Sequence, residues 1–147
     1  MRSKNFDEFI RIGIVKKQTP DKSRGNFLIK ESEKNFSYLL ELIKKIKIDD
    51  ISANNYVKIC YDIIMGLIRA KMFFDGYKTS GFRAHEVEVT YFEKIGFPEK
   101  DVLFLDKMRY YRNGILYYGT IINEEYTQKV IDFTKKIYHT LKEAVDR

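Results

Sequence analysis

Apolar residues return at steps of three and four almost from end to end of the chain, the spacing of one face of a helix. Residues 5–18 open with an amphipathic stretch whose apolar members are Phe6, Phe9, Ile10, Ile12 and Ile14. The segment TPDKSRG interrupts it, with Pro20 and Gly25 as punctuation. From about Lys22 to Lys47 a longer helix places Phe36, Leu39, Leu40, Ile43 and Ile46 on one face, with Lys44, Lys45 and Lys47 near the negative end of its dipole. Residues 53–75 form the most apolar helix: Tyr56, Ile59, Cys60, Ile63, Ile64, Leu67, Ile68 and Met72 make a stripe wide enough for a central bundle position. Gly76 stops it, and GYKTSGFRAH follows as a loop. A helix over 84–95 ends at Gly96. Pro98 opens the next, which carries Glu99 and Asp101 in its first turn and runs to about Gly119. Asn123 caps a last helix over 124–146.

These elements predict an all-α fold, an antiparallel bundle of four to six helices joined by short connections. Strand signals are nearly absent, and so are repeats and long linkers. The whole chain, 1–147, is one domain of ordinary size, with residues 1–25 as a basic N-terminal helix or arm and 26–147 as the bundle.

Composition narrows the setting. A single cysteine, Cys60, rules out an intrachain disulfide framework. No apolar run approaches the ~20 residues of a membrane span, so no membrane partner is expected. The N-terminal MRSKNFDEFIRIGIVKK has neither the apolar core nor the cleavage site of a signal peptide, and a cytoplasmic location is the expectation. The net charge of +6 permits an anionic partner without demanding one. Its distribution says more. From Arg11 to Lys30 inclusive stand six basic residues and one acid, Asp21; between Asp106 and Glu124 stand Lys107, Arg109 and Arg112 with no acid; between Asp75 and Glu86, Lys78 and Arg83 are likewise unopposed.

One short segment breaks the pattern. In RYYRNGILYYG, residues 109–119, Arg112 falls on the row Leu105, Met108, Arg112, Ile115, and so at the edge of an apolar seam. A guanidinium there must snorkel to water, pair with an acid on a neighbouring helix, or face a cleft or interface, because an unpaired buried charge costs several kcal/mol. Asn113 lies about 100° further round. Arginine also suits a phosphate, whose oxygens match its permanently charged fork.

Residues 53–146 resemble the HEPN superfamily (higher eukaryotes and prokaryotes nucleotide-binding). The resemblance rests on the apolar helix ending in KMFFDGYKTSGFRAHE, on RYYRNGILYYG, which looks like the family's Arg-polar-x-x-x-His segment, and on a long closing helix. It implies a bundle of four to five helices, usually homodimeric, that binds nucleotide or RNA. In members that cut RNA without a metal, Arg stabilises phosphate charge, His transfers protons, and the residue after Arg positions them. Many members are toxins paired with a small nucleotidyltransferase antitoxin, and others only bind. Carried across, Arg112 matches the Arg and Asn113 the polar residue. Where the histidine is expected stands Tyr117, and where the toxin branch has its modified tyrosine stands Gly119. A tyrosine, with an ordinary pKa near ~10 against ~6.5, is a poor general base but still donates a hydrogen bond or stacks on a base. The resemblance thus implies a catalytic trio of Arg112, Asn113 and Tyr117 with activity weakened or lost. Arg109, Arg112, Lys78, Arg83 and His85 are the expected nucleotide or RNA contacts.

Elsewhere the chain offers little chemistry. His85, starting a helix after Arg83, is a second candidate facing the same cleft; His139 stands alone and reads as surface. The histidines and Cys60 lack metal-ligand spacing, so neither metal nor cofactor is expected. GYKTSG lacks the spacing of a phosphate-binding P-loop, and Cys60 sits in a core stripe as an inert thiol. Three readings remain open: a binding domain with little or no catalysis, a structural or adaptor bundle, and an active metal-independent ribonuclease toxin using Tyr117 or His85.

Overall fold

The computed structural model describes residues 4–81, 83–118 and 122–146, with 115–118 described by backbone alone. Six helices and two short strands follow one another as α1 (Phe6–Arg11), β1 (Val15–Lys17), α2 (Lys22–Lys45), α3 (Ala53–Asp75), β2 (Tyr77–Thr79), α4 (Ala84–Lys94), α5 (Glu99–Tyr118) and α6 (Glu124–Val145). The class is all-α, as the periodicity predicts.

α3 is the centre. It touches α2, α4, α5, α6 and β2, and it is buried nearly all round, including Tyr61, Met65 and Gly66, which lie outside the predicted stripe. Toward α2 the helices meet closely because Gly66 has no side chain. A Cβ there would lie 2.5 Å from Ser32 Oγ, and that hydroxyl donates to the Ile63 carbonyl at 3.1 Å. Toward α6, Cys60 is buried beside Thr134, and burial pushes its thiol up to about 12. α2 and α6 also meet each other, with Phe36 stacked on Tyr138 at 3.7 Å and Lys142 paired with Glu33 at 2.7 Å. α4 and α5 cover the remaining side of α3.

The helix ends follow local chemistry. Asn5 and Glu8 form a capping box at α1, Asp21 accepts from the Arg24 amide to open α2, and Asn123 accepts from the Tyr126 amide to open α6. Gly76 closes α3 in the left-handed conformation at φ 82°, and a Cβ there would meet the Gln18 carbonyl at 2.5 Å.

Two expectations are corrected. The stretch over 5–18 is not one helix: α1 ends at Arg11, Gly13 turns the chain at φ 83°, and β1 follows. The segment GYKTSGFRAH is not only a loop, because its Tyr77–Thr79 forms β2, antiparallel to β1 with Val15 opposite Thr79, Lys16 opposite Lys78 and Lys17 opposite Tyr77. Residues 4–17 are thereby tied to the bundle. Phe6, Phe9 and Val15 are buried in the core, Phe6 lying edge-on to Tyr77 at 5.1 Å.

Candidate functional site

Three polar side chains of α3, Tyr61, Asp62 and Arg69, contact α4 or α5. Tyr61 and Arg69 are eight residues apart on α3, two turns along the same side. α4 brings His85 and Glu88, three residues apart, and α5 brings Arg109 and Arg112, also three apart. Short-range helical spacing thus produces each pair, and packing of the three helices produces the cluster.

Its geometry is built around His85. Tyr61 Oη lies 3.2 Å and Arg69 Nη2 3.5 Å from His85 Nδ1. A guanidinium has only donors, so Nδ1 is the acceptor, and the neutral ring carries its proton on Nε2. Burial, aided by the charges of Arg69, Arg112 and Arg109, lowers the His85 pKa, so the ring is neutral at pH 7. Burial likewise raises the Tyr61 hydroxyl, with Glu88 acting in the same sense and the three arginines opposing. Tyr61 is therefore a hydrogen-bond donor and not a base.

Each arginine is held differently. Arg69 Nε donates to Glu88 Oε2 at 2.9 Å, and Thr79 Oγ1 donates to the same oxygen at 3.4 Å. Glu88 is buried, desolvation raises its pKa, and its second oxygen, Oε1, has no hydrogen-bond partner among the described residues. Arg109 Nε pairs with Asp106 at 2.8 Å. Arg112 lies over the Tyr61 ring, its guanidinium carbon 5.3 Å from the centroid, and reaches Asp62 only at 3.7 Å. Its side chain is 22% exposed, while its Nε is buried and lacks a partner among the described residues. The acid beside it is thus an aspartate of α3, held loosely and itself half in water.

Of the residues singled out from sequence, Arg112, Arg109 and His85 come together here. Asn113 is half-buried on α5 next to Arg112. The side chain of Tyr117 and the whole of Gly119 lie outside the described residues. Arg83 points elsewhere: it forks onto Glu86 at 3.2 Å and sits over the Phe9 ring at 5.0 Å. Lys78 is on β2, lining a separate groove into which Arg69 also reaches. Tyr61, Arg69, Asp62 and Glu88 were not singled out. The available signal was Asp62 and Arg69, the two charged residues in the otherwise uncharged stretch from Ile59 to Ala70.

Among the described residues no group of three His, Cys, Asp or Glu side chains stands close enough to hold a metal ion, and no helix is long and apolar enough to cross a membrane. Chemically the arrangement offers three fixed positive forks, a neutral imidazole and a phenol donor, which suits an anion bearing several oxygens. No protein-family model matches the chain, and no curated protein or solved structure matches it either.

Proposed function

We propose that the chain is a HEPN-like nucleotide- or RNA-binding domain whose ligand phosphate sits on the arginine cluster, with catalysis weak or absent. The observation that carries this reading is the convergence of Arg69, Arg109 and Arg112 on a neutral His85. Of the three guanidiniums around the uncharged ring, Arg112 has the loosest counter-charge, Asp62 at 3.7 Å, and a phosphate supplies its fork with a closer one. Asp62 at 3.7 Å is weakly engaged and easily exchanged for the ligand. The Tyr61 face is covered by Arg112, so it fixes the guanidinium by cation–π contact and does not stack on a base. The family resemblance adds a homodimer, or a complex with a minimal nucleotidyltransferase, as the working assembly.

Binding of mononucleotides and short RNAs, followed by anisotropy over a salt series, tests this. Arg112→Ala is expected to weaken binding about tenfold or more, as loss of a charge-assisted contact worth ~1.5–3 kcal/mol implies. Absence of binding across adenine and guanine nucleotides and RNA, or equal affinity in Arg112→Ala, overturns it. A second reading has its own observation: each arginine also stands beside a carboxylate, Arg69 by Glu88, Arg109 by Asp106 and Arg112 by Asp62. On that reading the cluster only ties α3, α4 and α5 together, and Arg112→Ala shifts the melting temperature while every binding assay stays silent.

A further inference from the structure

The β1–β2 ribbon carries an electrostatic oddity. In its antiparallel register Lys16 stands directly opposite Lys78, and both are exposed. Directly opposed residues share a face, so two ammonium groups sit side by side on the outer surface of a sheet only two strands wide. Like charges in that position destabilise a pair, and the ribbon has little other free energy with which to offset it. The opposite face explains the fold without them: Val15 is buried, Tyr77 packs on Phe6 and Tyr91, and Thr79 donates to Glu88.

The lysine pair adjoins a groove of about 370 Å³ between the ribbon, the start of α2 and the last turns of α3, lined by the bases Arg24, Lys78 and Arg69 and by the acids Asp21, which caps α2, and Glu88, which is buried against Arg69. Arg24 lies over the Phe73 ring at 5.1 Å; neither it nor Lys78 forms an ion pair among the described residues. Arg69 lines the groove and belongs also to the arginine cluster, through its contact with His85. One turn along α2 from Arg24, the Phe27 side chain is 61% exposed. Basic side chains thus stand along the outer face of the ribbon, in the groove and, through Arg69 beside His85, at the arginine cluster, with Asp21 and Glu88 engaged at the α2 cap and by Arg69, and with aromatic rings alongside.

Building on the reading above, we propose that this run is a binding track for single-stranded RNA, in which Lys16, Lys78 and Arg24 each neutralise a backbone phosphate and Arg69 hands the strand to the arginine cluster. A positive groove with interleaved aromatic rings is what a single strand requires, since its phosphates pair with the cations while its bases stack. The concave groove distinguishes it from a membrane-docking face, which would present its apolar side chains outward along one helix.

The test compares the full chain with its Lys16→Gln/Lys78→Gln variant, using AMP, an RNA of about 12 nucleotides, inside the ~4–16-nucleotide range of single-strand sites, and vesicles rich in anionic lipid. Removing two phosphate contacts is expected to reduce the slope of log affinity against log salt by about 1.4 for the RNA. RNA affinity should fall about tenfold at low salt, with AMP affinity unchanged. Because the opposed charges are gone, the variant should melt at the same temperature or slightly higher, which separates lost binding from lost fold. An unchanged RNA slope overturns the track while leaving the arginine cluster to its own test with Arg112→Ala. Loss of RNA binding in the lysine variant but not in Arg112→Ala keeps the ribbon and removes the cluster. Vesicle binding that depends on the two lysines, with no RNA binding, replaces the track by a membrane-facing surface.

Discussion

The two sides of α3 handle polar groups in opposite ways. Toward α2 and α6, the buried hydroxyls of Ser32 and Thr134 donate to nearby backbone carbonyls, those of Ile63 and Val130. The rest of that contact is mostly apolar, Phe36 and Cys60 among it, and the one unpartnered hydroxyl of α6 among the described residues, on Tyr126, lies beside Tyr111 of α5. Toward α4 and α5, the same helix presents Tyr61, Asp62 and Arg69, and two of the neighbouring polar atoms, Glu88 Oε1 and Arg112 Nε, have no partner among the described residues. A satisfied buried group adds to specificity and asks for nothing more, whereas an unsatisfied one costs about 1–3 kcal/mol until something binds it. The first side is therefore built for stability. The second holds a cost that a ligand can remove.

The sharpest way to break that contrast is to damage the dry side. Leu67 is fully buried in α3, and Leu67→Ala is expected to cost about 3 kcal/mol through lost transfer free energy and the residual cavity. For a chain of this size that lowers the melting temperature by about 6–12 °C. Binding to the arginine cluster, measured well below the new melting temperature, should not move. Weakened binding in the folded variant would show that the two sides are coupled, and the division drawn above would fail.

Glu88→Ala acts on the wet side and should cost less. Glu88 is the buried counter-charge of Arg69, with side chains 6% and 33% exposed respectively. Removing a buried partner strands its mate, but Arg69, a third of whose side chain is exposed, can turn to water, so a loss of about 2 kcal/mol is expected. Glu88→Gln retains an acceptor for Arg69 and Thr79 and should cost less than that. The informative readout is binding. Freed of its carboxylate, Arg69 becomes available to phosphate, so Glu88→Ala should bind RNA more tightly than wild type while melting lower. A fall in both quantities would make Glu88 a scaffold residue and favour the structural reading of the cluster.

How much of this was legible from sequence depends on range. The limits of α3, 53–75, follow from an apolar stripe and a terminating glycine, both local signals, and Asn123 before α6 is equally local. β1 and β2 are three residues each and pair across some sixty residues of chain, so nothing within either segment announces a strand. Ile12 and Ile14 extend a helical spacing that Gly13 ends. The site shows the same division. Arg112 stood out because it interrupts a stripe on its own helix. Tyr61 looks like one more aromatic core residue, and Arg69 like one more helix former, until α4 sets His85 between them. The basic stretch between Arg11 and Lys30 was visible as charge, but its placement across from Lys78 is a matter of strand register.

The smallest expected effect is also the most specific to the wet side. His85 has its pKa lowered in the fold, by burial first and then by Arg69, Arg112 and Arg109. The other titratable groups facing it are the Tyr61 hydroxyl and, beyond Arg69, Glu88. Above pH ~6.5 the ring is neutral in both folded and unfolded chains, so it contributes no pH dependence. As pH falls below that value, the unfolded chain takes up a proton that the folded one refuses, and stability declines until the folded pKa is passed, then levels off. Melting curves between pH 7.5 and 5.5 should thus show a loss on the acid side that is reduced in His85→Asn, a variant that cannot be protonated. A bound phosphate reverses the sign of the electrostatics, because its negative charge offsets the three arginines and makes the imidazolium tolerable. With saturating ligand the His85-dependent loss should shrink, and binding itself should strengthen as pH falls through the same window. An acid-side loss identical in wild type and His85→Asn would mean the ring is not held neutral by these arginines. A His85-dependent loss that ligand leaves unchanged would place the phosphate elsewhere, leaving the free valences of α4 and α5 without the occupant proposed for them.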